Sequence, residues 1–404
     1  MNAFTAEPQA TSSVIQSRDQ HSRGAARLVA DFSVLAFGVL MTLTVSGYQF
    51  GLGNHTVYLL DALCSTDPTV LRKDWFVRST LQYHAIFTWM TAVLIRMGIV
   101  QSAFAALYVL LAVLWQLAWL RIVQRCGGSR LTYMLSVVMY YLLAGGIALG
   151  VYQFLQDGCF LPSNVANVAM LWGFYFWSTR RPALAGAALG LAGLFHLNHA
   201  VVGLICWAAL GAWEVLSQRP ARRQTASWIV GSVLLAAPSL FNVSMALAPR
   251  LRQAGVIPAE QFIAVYVRFR HLHHFDPFGW PGALWVAFLL PFPLAVWGFL
   301  WADRIRRDAQ TRDVRHELGR IALLLSGLLL VALVFAGIWY VSESLVQLTF
   351  WRFSIYVKLL TCIGAAYLIC DARLIGRRGL AVALGAISPA LAVLLISISR
   401  APGA

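Results

Sequence analysis

The feature that most constrains this chain is a recurrence of apolar runs, each about twenty residues long, with most of the charge confined to the short segments between them. Over 404 residues the chain is 59% hydrophobic and only 12% charged, which excludes a soluble globule. In lipid every backbone N–H and C=O must be satisfied internally, so a spanning chain is either helical or a closed barrel. The runs are too long for the roughly ten-residue alternating strands of a barrel, so the predicted class is all-α, a polytopic helical membrane protein. About eleven transmembrane helices are expected.

The net charge of +15 has a simple source in such a chain, because cytoplasmic loops collect Arg and Lys. Membrane lipids, and no nucleic acid, are therefore the partners it implies. Residues 1–28 read as a disordered cytoplasmic tail, residues 29–398 as one transmembrane domain, and residues 399–404 as a second tail. With the N-terminus inside, spans fall near 29–48, 100–121, 132–151, a segment ending at Arg180 and Arg181, 225–246, 282–302, 319–340, 355–372 and 379–398. Residues 49–98 form the first extracytoplasmic loop, with an interfacial helix from Tyr83 to Met97. Between Arg181 and Arg219 two apolar runs are joined by His196-Leu197-Asn198-His199, and arginines flank both outer ends. This pattern predicts two short helices whose tip sits at the outer surface.

The exceptions to the charge rule carry the chemistry. Arg250, Arg252, Arg268 and Arg270 share one extracytoplasmic loop, residues 247–281, and Arg352 lies in another. His55, His84, His196, His199, His271, His273 and His274 fall on that same face, against His21 and His316 inside. Charged and titrating side chains are costly beside hydrocarbon, so the cluster from Val267 to Pro277 marks a functional site. Arg268 and Arg270 offer forked donors suited to phosphate oxygens. His271, His273 and His274 also fit a metal, although spacing supplies no carboxylate to complete the shell. Arg352, in Phe350-Trp351-Arg352-Phe353, is either a snorkelling interfacial cation or a substrate contact.

In the first loop, Asp61, Asp67 and Asp74 can supply a general base or hold a divalent cation. Asp67-Pro68 also reads as a turn or helix cap, and Asp74 as an ion-pair partner of Arg72 or Arg78. His196 and His199, three apart, share a face if their helix continues, and fit phosphate donation, metal ligation or helix capping. The six cysteines show no CxxC spacing, so no metal site or disulfide framework is legible. Cys64 and Cys159 face the same side, where a bridge between them is feasible. No P-loop, GxSxG or HExxH motif and no internal repeat is evident.

Asn54-His55, Asp67-Pro68, Asp74-Trp75-Phe76, Gly193-Leu194-Phe195-His196 and Arg270-His271-Leu272-His273-His274-Phe275 resemble motifs of a bacterial membrane-protein group related to the GT-C class of integral-membrane glycosyltransferases. The resemblance covers most of residues 30–370. It implies a multi-pass protein of the bacterial inner membrane that takes a sugar from a polyprenyl-linked donor. Transfer to a glycan or lipid acceptor would occur on the extracytoplasmic face, in cell-envelope or polysaccharide biosynthesis. Carried onto this chain, Asp61 or Asp74 is the base, with Arg268, Arg270 and Arg352 on the lipid phosphate, and Asn54, His55, His196, His199, His271, His273 and His274 beside the substrate. The first-loop acids are six and seven positions apart here, where the class pattern has them adjacent.

Other classes remain open from the residues alone. A transporter or flippase for an anionic or lipid-linked solute would place ionisable groups at mid-membrane depth, where only Asp31 and Lys358 fall. A metal-dependent membrane hydrolase or transferase would use the histidines, and an assembly subunit would need none of this chemistry.

Overall fold

The computed structural model describes residues 9–70, 73, 84–143, 154–155, 158–217, 222–250, 258–270, 275–280, 285 and 309–370. Among them every secondary-structure element is helical, and six helices are long and apolar enough to cross a membrane. These stretches are Arg27–Ser46, Val100–Arg125, Leu197–Ser217, Thr225–Met245, Thr311–Ile338 and Glu343–Cys370. Each overlaps a run expected from the sequence, although Glu343–Cys370 begins twelve residues before the expected span at 355–372 and takes in Arg352, a residue expected in a loop. The expected spans at 282–302 and 379–398 lie outside the described residues, apart from Trp285, and only part of 132–151 is described.

Helix α1 (Gln9–Ser46) begins inside the stretch predicted to be a disordered tail. No proline or glycine interrupts residues 9–23, and their Gln, Ala, Ser and Arg side chains tolerate a helix, so polarity alone did not forbid one. α2 (His55–Thr66) and α3 (Ala85–Arg96) follow, and they pack on each other. α3 falls within the stretch expected to form an interfacial helix; at about 1.5 Å of rise per residue its twelve residues reach only about 18 Å, short of a roughly 30 Å hydrocarbon core. α4 (Val100–Arg125) and α5 (Arg130–Val138), the latter running into a π-helical turn at Met139–Leu143, complete the first half.

The second half is built on α6 (Pro162–Ser178), α7 (Pro182–Phe195), α8 (Leu197–Ser217) and α9 (Arg222–Arg250). α7 lies tightly between α6 and α9. Small residues permit this: a Cβ at Gly186 would strike the backbone of Gly231, and one at Gly190 the carbonyl of Leu234. Packing of this type is how helices associate where lipid removes the hydrophobic driving force between them. Beyond α10 (Ala259–Phe262), a π-helical turn at Ile263–Arg270 and a 3₁₀ turn at Pro277–Gly279 come α11 (Ala309–Ala332), α12 (Glu343–Gln347), a 3₁₀ turn at Phe350–Phe353 and α13 (Ser354–Cys370).

Polar groups gather at the two ends of the α6–α7–α8 layer. At one end Arg180 holds a left-handed φ of 60° and closes α6, its N–H donating to the Trp177 carbonyl while Arg181 N–H donates to that of Phe176. Such a C-terminal motif usually takes glycine. Arg180 reaches Glu214 of α8 at 2.6 Å and Glu317 of α11 at 3.3 Å, and Arg320 reaches Glu317 at 2.5 Å. Elsewhere Asp31 of α1 pairs with Arg130 at 2.7 Å, and Lys358 stands 4.2 Å over the Tyr140 ring, buried. The opposite end of the layer, where α7 gives way to α8, carries the histidines.

Candidate functional site

The helical path breaks at His196, whose backbone is extended (φ −149°, ψ 121°). Its N–H still donates to Ala192 at the end of α7, and its carbonyl accepts from Ala200 in the first turn of α8. One residue therefore ends one helix and begins the next, as the two apolar runs with arginine at both outer ends predict. The break does not separate the pair: the His196 and His199 rings meet edge to face with centroids 5.0 Å apart.

Two further residues close on this hinge from distant parts of the chain. His84, just before α3, lies 5.1 Å from the His196 ring, and its Nδ1 is 3.1 Å from the carbonyl of Phe195, an acceptor left open by the end of α7. Arg352, presented by the 3₁₀ turn before α13, donates from Nη1 to Nε2 of His196 at 3.2 Å. A left-handed Thr349 (φ 50°) starts that turn, and the side chain of Asn198 ties the hinge to it by donating to the Gln347 carbonyl at 3.4 Å.

The acceptors around the rings fix where their protons sit. A carbonyl facing His84 Nδ1 demands a proton there and leaves Nε2 with a lone pair. His199 Nε2 faces Oδ1 of Asn167 at 2.9 Å, while the Asn167 amide nitrogen donates to the Phe154 carbonyl, so Nε2 carries the proton. His199 Nδ1 is then a bare acceptor, buried and without a hydrogen-bond partner among the described residues. In His196 the contacts compete: both Arg352 and the Asn198 N–H, at 3.3 Å from Nδ1, ask the ring to accept. A neutral imidazole accepts at one nitrogen only, and the shorter, charge-assisted Arg352 contact assigns the lone pair to Nε2. The hinge thus combines one guanidinium with imidazole acceptors, the complement of a ligand bearing an anion and hydroxyls.

Burial holds His84 neutral. It is 8% exposed, and loss of solvation pushes its pKa down to about 4, opposed by the Phe195 carbonyl and helped by the nearby Arg352 charge. Since the unfolded chain binds this proton near pH 6.5, stability is present in full above that pH and is lost as pH falls from about 6.5 to about 4. The expected slope is about 1.4 kcal/mol per pH unit, roughly 3 kcal/mol in all. Thermal unfolding of detergent-solubilised protein should show it, and His84→Gln should flatten the slope in that window. An unchanged slope would assign the acid sensitivity elsewhere.

The other predicted site residues divide as follows. Asp61 lines a cleft of about 370 Å³ between α2 and α3 and accepts from the Thr88 hydroxyl at 2.8 Å. It lies one helical turn beyond Tyr58, whose ring packs 5.0 Å from His84, so the cleft adjoins the hinge. Asp67 is exposed and closes the turn after α2, accepting from Thr69 N–H at 2.9 Å and from its hydroxyl at 2.6 Å. These bonds lower its pKa. Asn54 caps α2, and its carbonyl accepts from Val57 and Tyr58. His55 is fully buried, with Nδ1 accepting from Gly51 N–H at 3.1 Å and Nε2 donating to Phe160 at 2.9 Å; it pins the first loop to the start of α6.

Asp74, His271, His273 and His274 lie outside the described residues. Arg268 is exposed on the π-helical turn that ends at Arg270. The segment after it comes close to the hinge: Trp280 packs 5.1 Å from Trp351, next to Arg352. Among the described residues no group of three His, Cys, Asp or Glu side chains is placed to hold a metal ion. Cys64 and Cys159 are both free thiols, and Cys159 is buried against the carbonyls of Gln49 and Leu52.

Residue-by-residue reading of the sequence passed over Tyr58 and Asn167 and left His84 as one histidine among seven on its face. Asn164 and Asn167, polar residues three apart inside an otherwise apolar helix, were a usable signal for a buried site. The fold and site together define an all-helical protein with helices long and apolar enough to cross a membrane and a polar hinge of imidazole and arginine. No family model matches the chain, and no curated protein or solved structure shows significant similarity to it.

Proposed function

We propose that this protein is a GT-C-like membrane glycosyltransferase, moving a sugar from a polyprenyl phosphate-type donor to an envelope glycan or lipid acceptor on the extracytoplasmic face of a bacterial plasma membrane. The observation that carries this reading is the contact of Arg352 with His196, whose ring packs against those of His84 and His199, beside the Asp61 cleft. A sugar phosphate is an anion attached to a ring of hydroxyls. Arg352 complements the first, and imidazole acceptors the second.

In the step itself the acceptor hydroxyl oxygen attacks the anomeric carbon, and its proton passes to the carboxylate of Asp61 or Asp74. The bond from that carbon to the phosphate oxygen breaks, and the electron pair leaves on the phosphate. Arg352 stabilises the charge that develops there, with Arg268 and Arg270 as further cations of the same face. Exclusion of water at the buried hinge strengthens that interaction.

A deletion strain tests the reading. It should accumulate a polyprenyl-linked sugar and lose one surface glycan or glycolipid, restored by the wild-type gene. If Asp61→Asn and Asp74→Asn each restore the wild-type glycan profile, the base mechanism is wrong. If the deletion changes neither the lipid-linked pool nor the glycans, the transferase reading is wrong.

A further inference from the structure

The α2–α3 cleft has features that sugar transfer at the hinge does not require. It holds a carboxylate, Asp61, and a guanidinium, Arg96, which do not pair with each other. Among the described residues half-buried Asp61 has only the Thr88 hydroxyl as partner, and Arg96, exposed at the last turn of α3, makes no ion pair or hydrogen bond. Opposite charges left apart in one cavity cost the fold their mutual attraction, and a ligand carrying both signs recovers it.

The cleft's surroundings narrow that ligand. Trp89 forms one wall and is 69% exposed, and Met97 and Ile99, just past Arg96, are 62% and 41% exposed. An interfacial helix with an outward tryptophan sits at headgroup depth, where such rings favour one wet and one apolar side. A volume of about 370 Å³ admits a headgroup while excluding acyl chains, which would run along the exposed apolar face.

We infer that the α2–α3 cleft binds the headgroup of a zwitterionic aminophospholipid, with the ammonium on Asp61 beside the Trp89 ring and the phosphate on Arg96. A lipid anchored there fixes α3, and with it His84, against the hinge. This goes beyond the transferase reading and makes Asp61 a lipid anchor, which passes the role of base to Asp74.

The test uses the full-length protein in mild detergent, with native mass spectrometry for retained lipid and thermal unfolding for protection. Phosphatidylethanolamine in mixed micelles should be retained and should raise the unfolding midpoint; phosphatidylglycerol, which lacks the ammonium, should do neither. Arg96→Gln and Asp61→Asn should each lower phosphatidylethanolamine retention about tenfold, the loss of one charge-assisted contact. Equal retention of both lipids overturns the proposal, as does wild-type retention by both variants. Protection by water-soluble phosphoethanolamine equal to that by the lipid would also overturn it, by showing a soluble ligand. The readout involves no sugar transfer, so its failure leaves the transferase reading standing, and the loss of transfer in a strain would not alter lipid retention.

Discussion

Replacing Glu317 with alanine is expected to destabilise the fold by about 2–3 kcal/mol, less than the loss of a partner from a fully buried ion pair because the two guanidiniums left behind are each about a third exposed. Glu317 is 2% exposed and serves three donors: Arg320 at 2.5 Å, Arg180 at 3.3 Å and the Trp177 indole N–H at 3.2 Å. Without it, Arg180 keeps Glu214, but among the described residues Arg320 keeps only its cation–π contact with Trp213, 5.2 Å to the ring centroid. The loss spreads because the carboxylate ties α11 to the end of α6, and the two arginines it holds reach on to Glu214 and Trp213 of α8. Glu317→Gln should recover part of the loss, because an amide oxygen still accepts from Trp177 while the charge is gone. Denaturation in detergent micelles measures both variants, and a loss below about 1 kcal/mol for Glu317→Ala, the range of an exposed pair, would show that water reaches this end of the layer.

How much of this was legible in the sequence depends on the range of the interaction concerned. Apolar length and the arginine flanks act within about twenty residues, so the class, the short helix α3 and the break at His196 could be read directly. Asp67-Pro68 behaves as its dipeptide predicts, closing a turn through Thr69. The site depends on contacts that no local pattern encodes. His84 meets Phe195 across 111 positions, and Arg352 meets His196 across 156. His55 resembles the other histidines in sequence, but its ring is spent on two backbone contacts, and only the fold separates it from them. Glu214 and Glu317 sit in or beside apolar runs like ordinary span-end charges, and their joint service to Arg180 is visible only once α6, α8 and α11 are adjacent.

The sharpest functional expectation concerns Arg352. If its guanidinium stabilises charge on the leaving phosphate, Arg352→Ala should cut transfer by about 10²–10³, the typical effect of deleting one aimed donor. The protein should still insert, because the turn that carries Arg352 is held by Trp351 and Phe353, which are 2% and 0% exposed, and by the Arg352 N–H bond to Thr349. Arg352→Lys should recover only part of the rate, since an ammonium supplies charge without the fork that can engage His196 and a phosphate together. A purely structural role predicts a different pattern, in which activity and the unfolding midpoint fall in proportion. The two roles also separate through His84. The Arg352 charge lowers the His84 pKa, though less than burial does. Arg352→Ala should therefore raise it from about 4 and shrink the stability lost on acidification, because the folded state takes up the proton earlier. Wild-type transfer by Arg352→Ala, with lipid-linked sugar at its normal level, would remove the hinge from the reaction.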